Sequence, residues 1–393
     1  MLINRTGRMA SRIVMCIVLV AGMSIAEELW QKTYGGAADD EAWSVAATAD
    51  GGCIVAGSTK SFGAGEEDLY LVKLSSSGET AWTRAYGGSL EEVAYAVMPV
   101  SDGYVAAGYA GSFKRGRFDG WLVRTNAKGD TVWARCYGGN SYDIFKSVAP
   151  AGDGFIAAGH TRSFGAGDFD FYVVRTKANG DTLWTRSYGG SAGEHANCVC
   201  PTADGGFILA GSTASYGAGG DAWLVRINSK GDTLWTHDYG GSADDCANSV
   251  LATADGGFVF AGSTRSFGAG GEDVWLVRTN AKGDTVWTRT FGGAGWDWAA
   301  SVALAPDGGF VVAGTNGSQK TGGDEVWLIK TDANGVMQWN RLAGGALTDN
   351  GLGVCCRPGG YFVAGATSSK GAGEADAFVL RTDASGRTRA PQK

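Results

Sequence analysis

A tryptophan that recurs at a nearly constant interval is the feature that most constrains this sequence. Intervals of 51 or 52 residues separate Trp30, Trp82, Trp133, Trp184, Trp235, Trp287 and Trp339. The phrase that leads up to each later tryptophan, "DGWLVRTNAKGDTVW" at residues 119–133, occurs in seven variants, the last of which lacks the tryptophan. A fixed period of this length indicates a chain built from repeated supersecondary units.

Each unit contains four short segments with the period of β-strands. In residues 133–137, Trp133, Arg135 and Tyr137 alternate with Ala134 and Cys136, so the two sets face opposite sides of a strand. Motifs such as "DGG" and "NAKGD" supply turn residues between the segments, and no window has helical spacing. Four strands and three turns, repeated seven times, predict an all-β seven-bladed β-propeller of four-stranded blades.

The phase of the repeat at the two ends of the chain predicts how the ring closes. The chain enters the repeat on a lone fourth strand, "LWQKTYGG" at residues 29–36, and leaves it after a third strand, "AFVLRTDASG" at residues 377–386. Seven complete blades exist only if the N-terminal strand completes the last blade, which also covers an open sheet edge. We therefore expect residues 27–393 to form a single propeller domain in which residues 29–36 pair with residues 377–381.

The repeat motifs resemble those of secreted bacterial and archaeal β-propeller repeat proteins. Their unit reads W-x-x-x-Y-G-G, then D-G-G-[FY]-[IV]-x-A-G, then D-x-W-L-V-[RK], and the similarity covers the chain from Trp30 onward. "TNAKGDTVW" is also similar, with a spacing one residue off, to the tryptophan-docking motif of quinoproteins and to the Asp-box turn of sialidases. The first resemblance implies the fold and little chemistry, and docking motifs of this kind tie one blade to the next.

The first 26 residues form a separate segment. Arg5, Arg8 and Arg12 precede an apolar run at residues 13–26, and Ser24 and Ala26 are the small residues expected before a cleavage site. This pattern predicts a signal peptide at residues 1–26 and a secreted, periplasmic or cell-surface protein, with an uncleaved N-terminal anchor as the alternative. No other apolar run approaches the length of a membrane span, so we expect none after cleavage.

Charge and cysteine content narrow the classes of partner. Removing the three arginines of residues 1–26 leaves 30 basic and 40 acidic residues, a net charge of −10 that disfavours nucleic acid and anionic membranes. Seven cysteines remain, at different positions in different repeats and odd in number, so we expect most to be small buried side chains. An isolated disulfide remains an alternative.

Acidic residues repeat in two sets that should open on one face of the disc. The first set stands ten residues after each tryptophan: Asp40, Glu92, Asp143, Glu194, Asp245, Asp297 and Asp349. The second set precedes each third strand: Asp68, Asp119, Asp170, Asp221, Asp273, Glu325 and Asp376. One interpretation is that these carboxylates brace glycine-rich turns. The other is a ligand or weak calcium site on an acidic mouth that prefers basic partners.

Residues that break the repeat are the candidates for a specific site. They lie in or beside the predicted inner strands and comprise Trp43, Tyr95, Tyr142, Phe145, Lys146, His195, Trp296 and Trp298. Arginines between two rings, as in Trp133–Arg135–Tyr137 and Trp184–Arg186–Tyr188, indicate either cation–π stacking that stiffens the outer strand or a lectin-like groove. His160, His195 and His237 occupy three unrelated repeat positions, and none lies in a hydrolase motif.

These observations together predict an exported, monomeric, non-catalytic binding or scaffold module with an acidic loop face. Its candidate ligand-binding residues are the first acidic set with His195 and Trp298. No cofactor is firmly implied, and the partner is an unidentified protein or glycan. A carbohydrate-binding propeller is the first alternative, and a hydrolase or lyase with an axial site is the second.

Overall fold

The computed structural model describes residues 29–113, 116–319 and 322–388. The predicted signal peptide lies outside this range. Every regular element in the described residues is a β-strand, and the strands form seven four-stranded antiparallel sheets. The predicted all-β seven-bladed propeller is thus confirmed. Within the described residues, no helix has the length and apolarity needed to cross a membrane.

The strands follow the repeat along the chain. The first half comprises β1 (Trp30–Tyr34), β2 (Asp40–Ala47), β3 (Cys53–Thr59), β4 (Asp68–Leu74), β5 (Thr80–Tyr86), β6 (Glu92–Val100), β7 (Gly103–Ala110), β8 (Asp119–Asn126), β9 (Thr131–Tyr137), β10 (Asp143–Ala151), β11 (Gly154–Thr161), β12 (Asp170–Thr176), β13 (Thr182–Tyr188) and β14 (Glu194–Pro201). The second half comprises β15 (Phe207–Thr213), β16 (Asp221–Ile227), β17 (Thr233–Tyr239), β18 (Asp245–Ala252), β19 (Phe258–Thr264), β20 (Asp273–Thr279), β21 (Thr285–Phe291), β22 (Asp297–Leu304), β23 (Phe310–Asn316), β24 (Glu325–Thr331), β25 (Met337–Ala343), β26 (Asp349–Arg357), β27 (Gly360–Thr367) and β28 (Asp376–Asp383).

Blades 1 to 6 each take four consecutive strands, starting with β2–β5, and blade 7 combines β26, β27 and β28 with β1. In this last blade β1 pairs antiparallel with β28, from Trp30 opposite Arg381 to Tyr34 opposite Ala377. The predicted closure by the N-terminal strand is therefore confirmed. Inner strands of adjacent blades contact one another around the ring, including β2 with β26 across the closure.

The hydrophobic core lies between blades rather than within one sheet. The second and third strands of each blade are almost completely buried, because both faces of each sheet are covered by neighbouring blades. Each core cluster therefore takes residues from two neighbouring blades; one joins Ile156 and Phe171 of blade 3 to Leu209 and Trp223 of blade 4. The fourth strands form the half-exposed rim.

The repeating tryptophan docks each blade onto the next. The indole Nε1 of Trp30 donates a hydrogen bond of 3.1 Å to the Ser76 carbonyl, in the turn before the fourth strand of blade 1. The Tyr34 hydroxyl donates one of 2.7 Å to the Gly78 carbonyl in the same turn. Gly78 has a φ of +74°, and a Cβ at this position would lie 2.7 Å from the Trp30 ring. Position 78 therefore requires glycine for two reasons: the left-handed backbone conformation, and the space that the Trp30 indole occupies.

A buried cation stands at the end of each third strand, and in blades 1 to 6 it bonds the turn between the first two strands. The Nη2 atoms of Arg226 and Arg278 lie 2.6 Å from both carboxylate oxygens of Asp204 and Asp255, respectively, the acids of the "DGG" turns. In blade 7 the turn contains no aspartate, and Arg381 instead donates to the Ser76 carbonyl of blade 1. The same cation therefore adds a further contact across the ring closure.

Candidate functional site

The first acidic set lies at the start of each inner strand, and all seven side chains are at most 2% exposed. Every member accepts a hydrogen bond from the amide of the second glycine of the preceding "GG" pair, over 2.6–2.9 Å. Asp143, for example, accepts from Gly139 N and also from the hydroxyls of Ser163 and Thr161. These contacts are those of the turn-bracing interpretation.

The second acidic set is buried in the same way and braces the loop between the second and third strands. Asp68 accepts the amides of Ala64 and Gly65 at 3.0 Å, and Asp273 accepts those of Ala269 and Gly270 at 2.9 and 3.0 Å. Ligand binding by either set stays a prediction, and their burial does not favour it. Among the described residues, no group of three His, Cys, Asp or Glu side chains is arranged to hold a metal ion.

The axial positions of the seven blades are equivalent in geometry and different in chemistry. Each inner strand carries a register shift at its fourth residue, and such a bulge re-aims the side chain. In ring order these residues are Trp43, Tyr95, Lys146, Asn197, Asn248, Ala300 and Leu352. Two rings and a cation are thus followed by two amides and two apolar side chains.

Lys146 is the centre of the axial site. Its Nζ lies 3.2 Å from the centroid of the Tyr95 ring and 5.9 Å from that of Trp43, and these two rings pack edge to face at 5.2 Å. Since Lys146 belongs to blade 3 and Trp43 to blade 1, the amine reaches past blade 2 near the axis. Burial lowers the pKa of Lys146 to about 8, and no carboxylate of the described residues forms an ion pair with it.

The opposite side of the axis carries a chain of amide hydrogen bonds. Asn197 Nδ2 donates to Asn248 Oδ1 at 3.2 Å, and Asn248 Nδ2 donates to the Ala299 carbonyl at 2.8 Å. Ala300 and Leu352 complete the circuit without a polar group. The circuit of seven axial side chains therefore has a cationic, aromatic side and a neutral side, and we call the loop face around it the mouth.

An aromatic band extends from the axis onto the loop face over blades 2 and 3. Ring centroids of Tyr95 and Tyr109 lie 6.1 Å apart, those of Tyr109 and Phe118 4.8 Å, and those of Phe118 and Tyr142 5.5 Å. The Arg117 guanidinium lies 5.1 Å from the Tyr142 ring and ends the band.

A second aromatic group follows over blades 3 and 4. His160 lies 4.7 Å from His195 and 5.1 Å from Phe169, centroid to centroid, and Arg162 covers the Phe169 ring at 4.6 Å. Burial first, and then the charge of His195, lowers the pKa of His160 to about 3, so this ring is neutral at physiological pH. Burial also lowers the pKa of His195.

Exposed charges on the same face are partly paired with one another. Lys60 contacts Asp39 at 3.0 Å, and Arg265 contacts Asp244 at 3.2 Å. Burial, reinforced by the charge of Glu67, raises the pKa of the Glu41 carboxyl beside the mouth. The face thus carries both signs of charge, whereas the repeating acids alone predict a uniformly negative surface.

The other predicted site residues divide between the mouth and the core. His195 belongs to the second aromatic group and also lines a cavity of about 350 Å³ with Cys246, Arg265 and Glu272. Trp298 is half-buried and pairs with Thr315 on the neighbouring strand. Trp296 is 58% exposed and is covered by the Arg265 guanidinium at 4.9 Å.

Phe145, a candidate because it breaks the repeat, lies in the core. Its side chain is completely buried and stacks on Tyr172 with the ring centroids 5.5 Å apart. The neighbouring third strand has Gly120 at this point, where a Cβ would lie 2.8 Å from the Phe145 ring. Phe145 therefore fills core space that a glycine leaves open.

The sequence reasoning missed members of both the aromatic band and the second aromatic group. Tyr109 and His160 lie near the ends of second strands, directly opposite Val93 and Ile144 of the inner strands. Other blades have serine, threonine or alanine at this position, so the departure from the repeat was a readable signal. The seven cysteines of the described residues are free thiols.

Comparisons with known proteins identify the fold alone. No family model matches the chain, and no curated protein is significantly similar to it. Among solved structures, the WD40 β-propeller domain of Doa1 is similar with a TM-score of 0.56 and 12% identity, over 91% of this chain and 96% of that chain. Sqt1 from Chaetomium thermophilum has a TM-score of 0.51 and 14% identity, over 92% and 87%. A putative 6-phosphogluconolactonase from Bacteroides fragilis has a TM-score of 0.51 and 14% identity, over 88% and 95%.

Proposed function

We propose that this chain is an exported, non-catalytic binding module that holds a partner at the mouth, against the axial side chains. A β-propeller with the WD40 propeller domain of Doa1 among its structural neighbours is consistent with a binding or scaffold module. The observation that carries the proposal is the asymmetry of the axial ring, in which Trp43, Tyr95 and Lys146 are consecutive.

The cluster of Lys146, Tyr95 and Trp43 lowers the stability of the fold. A buried amine without a carboxylate partner destabilises a folded protein, and the rings of Tyr95 and Trp43 offset only part of that cost. Leu352 and Ala300 occupy equivalent axial positions, so the fold accepts apolar side chains there. A feature that costs stability and that the architecture does not require is typical of a functional site.

The same geometry disfavours the hydrolase or lyase alternative. Glu194 stands beside His195 in sequence, but its oxygens accept hydrogen bonds from Gly190 N, Thr213 Oγ1 and Ser215 N. No acid–base pair between this carboxylate and an imidazole is present among the described residues. The rings, the amine and the amides are groups that bind and orient a partner.

The nature of the partner follows from the charges that flank the mouth. Glu41, Glu67 and Glu91 all lie close enough to Tyr95 to raise the pKa of its hydroxyl, after the larger effect of burial. With the net charge of −10 expected after signal cleavage, these acids favour a protein that presents basic and aromatic side chains to the mouth.

Site-specific photocrosslinking tests the axial site. A photoreactive phenylalanine at Leu352 samples the axial circuit, and one at Val132, which is 57% exposed on an outer strand, is the matched control. With exported protein from the native host as the partner source, we expect a discrete crosslinked product from position 352 that disappears in Tyr95→Ala and Lys146→Ala. An identical product from position 132, or persistence in both variants, would contradict the proposal.

Mass spectrometry tests the export separately. The intact mass of secreted material should correspond to a chain that begins at Glu27. Material that retains Met1 and stays in the cytoplasm would refute the export without bearing on the axial site.

A further inference from the structure

Five blades expose an aromatic side chain at the same position of the loop between the second and third strands. These residues are Phe62, Phe113, Phe164, Tyr216 and Phe267, with exposed fractions of 41–51%. Each packs on a ring of the third strand below it, namely Tyr70, Trp121, Tyr172, Trp223 or Trp275, at centroid distances of 5.4–5.9 Å. Paired rings thus stand at five places around the circumference.

The two remaining blades show that the fold does not need the exposed ring. Strand registers place Gln319 of blade 6 and Lys370 of blade 7 at the equivalent position. The glycine that follows Lys370, Gly371, has a φ of +109°, and its counterpart Gly268 in blade 5 has the same value. Since the loop of blade 7 reaches this conformation with a lysine, the recurring ring is not required for loop geometry.

Two of the paired rings lie beside open cavities in equivalent grooves between blades. One cavity, of about 710 Å³, lies between blades 2 and 3, and the other, of about 460 Å³, lies between blades 4 and 5. Their linings correspond position by position: Tyr137 and Tyr239, Phe164 and Phe267, Tyr172 and Trp275, Thr185 and Thr288, and Arg186 and Arg289. The same groove is therefore built twice from the same side-chain types.

The lining contains aromatic and polar groups, which complement the apolar face and the hydroxyl edge of a sugar ring. A hexopyranose has a face of C–H bonds, which packs on an aromatic ring, and an edge of hydroxyls, which pair with hydroxyl and guanidinium groups. Phe164 and Tyr172 supply stacked rings, and Thr182 and Thr185 supply hydroxyls. The Arg186 guanidinium donates to the Thr185 carbonyl and lies over Trp184. Both volumes fall in the usual range for small-molecule sites.

We propose that the grooves between blades on the outer rim bind carbohydrate, with several sites on each molecule. This activity is additional to the axial site and does not depend on it. Two similar grooves on one disc suit a repeating glycan chain or a dense glycan surface, because the second contact is made at high effective concentration. We expect a single site of this size without charge pairing to bind a sugar only weakly, so the affinity for a glycan depends on the number of sites that bind it together.

The chain itself supplies matched variants for the test. Phe164→Gln and Phe267→Gln introduce the side chain found in blade 6, and Lys370→Phe introduces the ring that blade 7 lacks. Tyr95→Ala alters the axial site and leaves the rim unchanged, so it separates this proposal from the axial one.

A glycan array of neutral and acidic oligosaccharides is the first measurement, followed by calorimetry with the tetrasaccharide that binds best. We expect more than one site per chain, a loss of two sites in the Phe164→Gln/Phe267→Gln double variant, and a gain of one in Lys370→Phe. Tyr95→Ala should leave the number of sites unchanged. An array without binding, or a stoichiometry of one that survives the double variant, would overturn the proposal.

Discussion

The contact between the N-terminal strand and the last blade can be tested by a single truncation, Trp30→Ala. The Trp30 side chain is 5% exposed and packs on Phe362 of blade 7, with the ring centroids 6.1 Å apart. It also covers Gly78 of blade 1 and donates a hydrogen bond of 3.1 Å to Ser76. The substitution therefore removes contacts with both neighbours of the ring closure.

The expected loss of stability follows from these contacts. Truncating a buried tryptophan to alanine costs about 3–5 kcal/mol, which includes the lost hydrogen bond in most cases, so we expect about 4 kcal/mol. An unfolding entropy of about 2.1 cal/mol/K per residue over about 360 residues gives roughly 0.75 kcal/mol/K. The melting temperature should accordingly fall by about 5 °C.

Thermal and urea unfolding of the mature chain provide the assay. Gln31→Ala is the matched control, because Gln31 is the next residue on the same strand and is only half-buried. Its melting temperature should stay within about 1 °C of the wild type, as for most surface substitutions. If Trp30→Ala and Gln31→Ala unfolded together at the wild-type temperature, the closure would not contribute to stability as argued.

Three further predictions concern the turns and the axis. Asp143→Ala should lower the free energy of unfolding by about 2–3 kcal/mol in urea titrations, because it leaves buried amide and hydroxyl donors without an acceptor; an unchanged midpoint would refute turn bracing. Gly78→Ala should destabilise through both its positive φ and its clash with Trp30, whereas Gly51→Ala, with a φ of +80° but no close contact, should cost less. Lys146→Met should raise the melting temperature below pH 8, because the native wild-type protein must then bury a charged amine. Between about pH 8 and 10.5 the native lysine has released its proton and the unfolded chain still holds it, so the stability of the wild type rises with pH. The difference in melting temperature between Lys146→Met and the wild type should therefore narrow in this pH range. A pH-independent difference would contradict the buried amine.

The architecture was predictable because each repeat carries its own turns and strands. The interval between tryptophans gave the number of blades, and the lone fourth strand at the start required the closure that β1 and β28 form. Turn bracing by the recurring acids was one of the two interpretations that the sequence allowed. Their burial was not readable, because a carboxylate at a strand end can face a loop amide or the solvent equally well.

The site was predictable only in part, for a reason that lies in the bulge of each inner strand. Strict alternation along β10 does not show that Lys146 turns to the axis while Phe145 enters the core, since the register shifts between Phe145 and Ser147. The sequence identified the residues that differ from the repeat and not the direction of each side chain. Tyr109 and His160 were missed because their proximity to the axis depends on pairing with the inner strand.

The pairing of β1 with β28 also determines how the ring responds to mechanical force. Because the two strands are antiparallel and Trp30 lies opposite Arg381, the chain enters and leaves the closure at the same end. Tension applied to the two termini loads the hydrogen bonds one after another, as in unzipping, and never shears all of them together. If a surface anchor held one terminus and a bound polymer pulled the other, blade 7 would lose its outer strand first. Tension on the loops, in contrast, would place no force on the hydrogen bonds between β1 and β28.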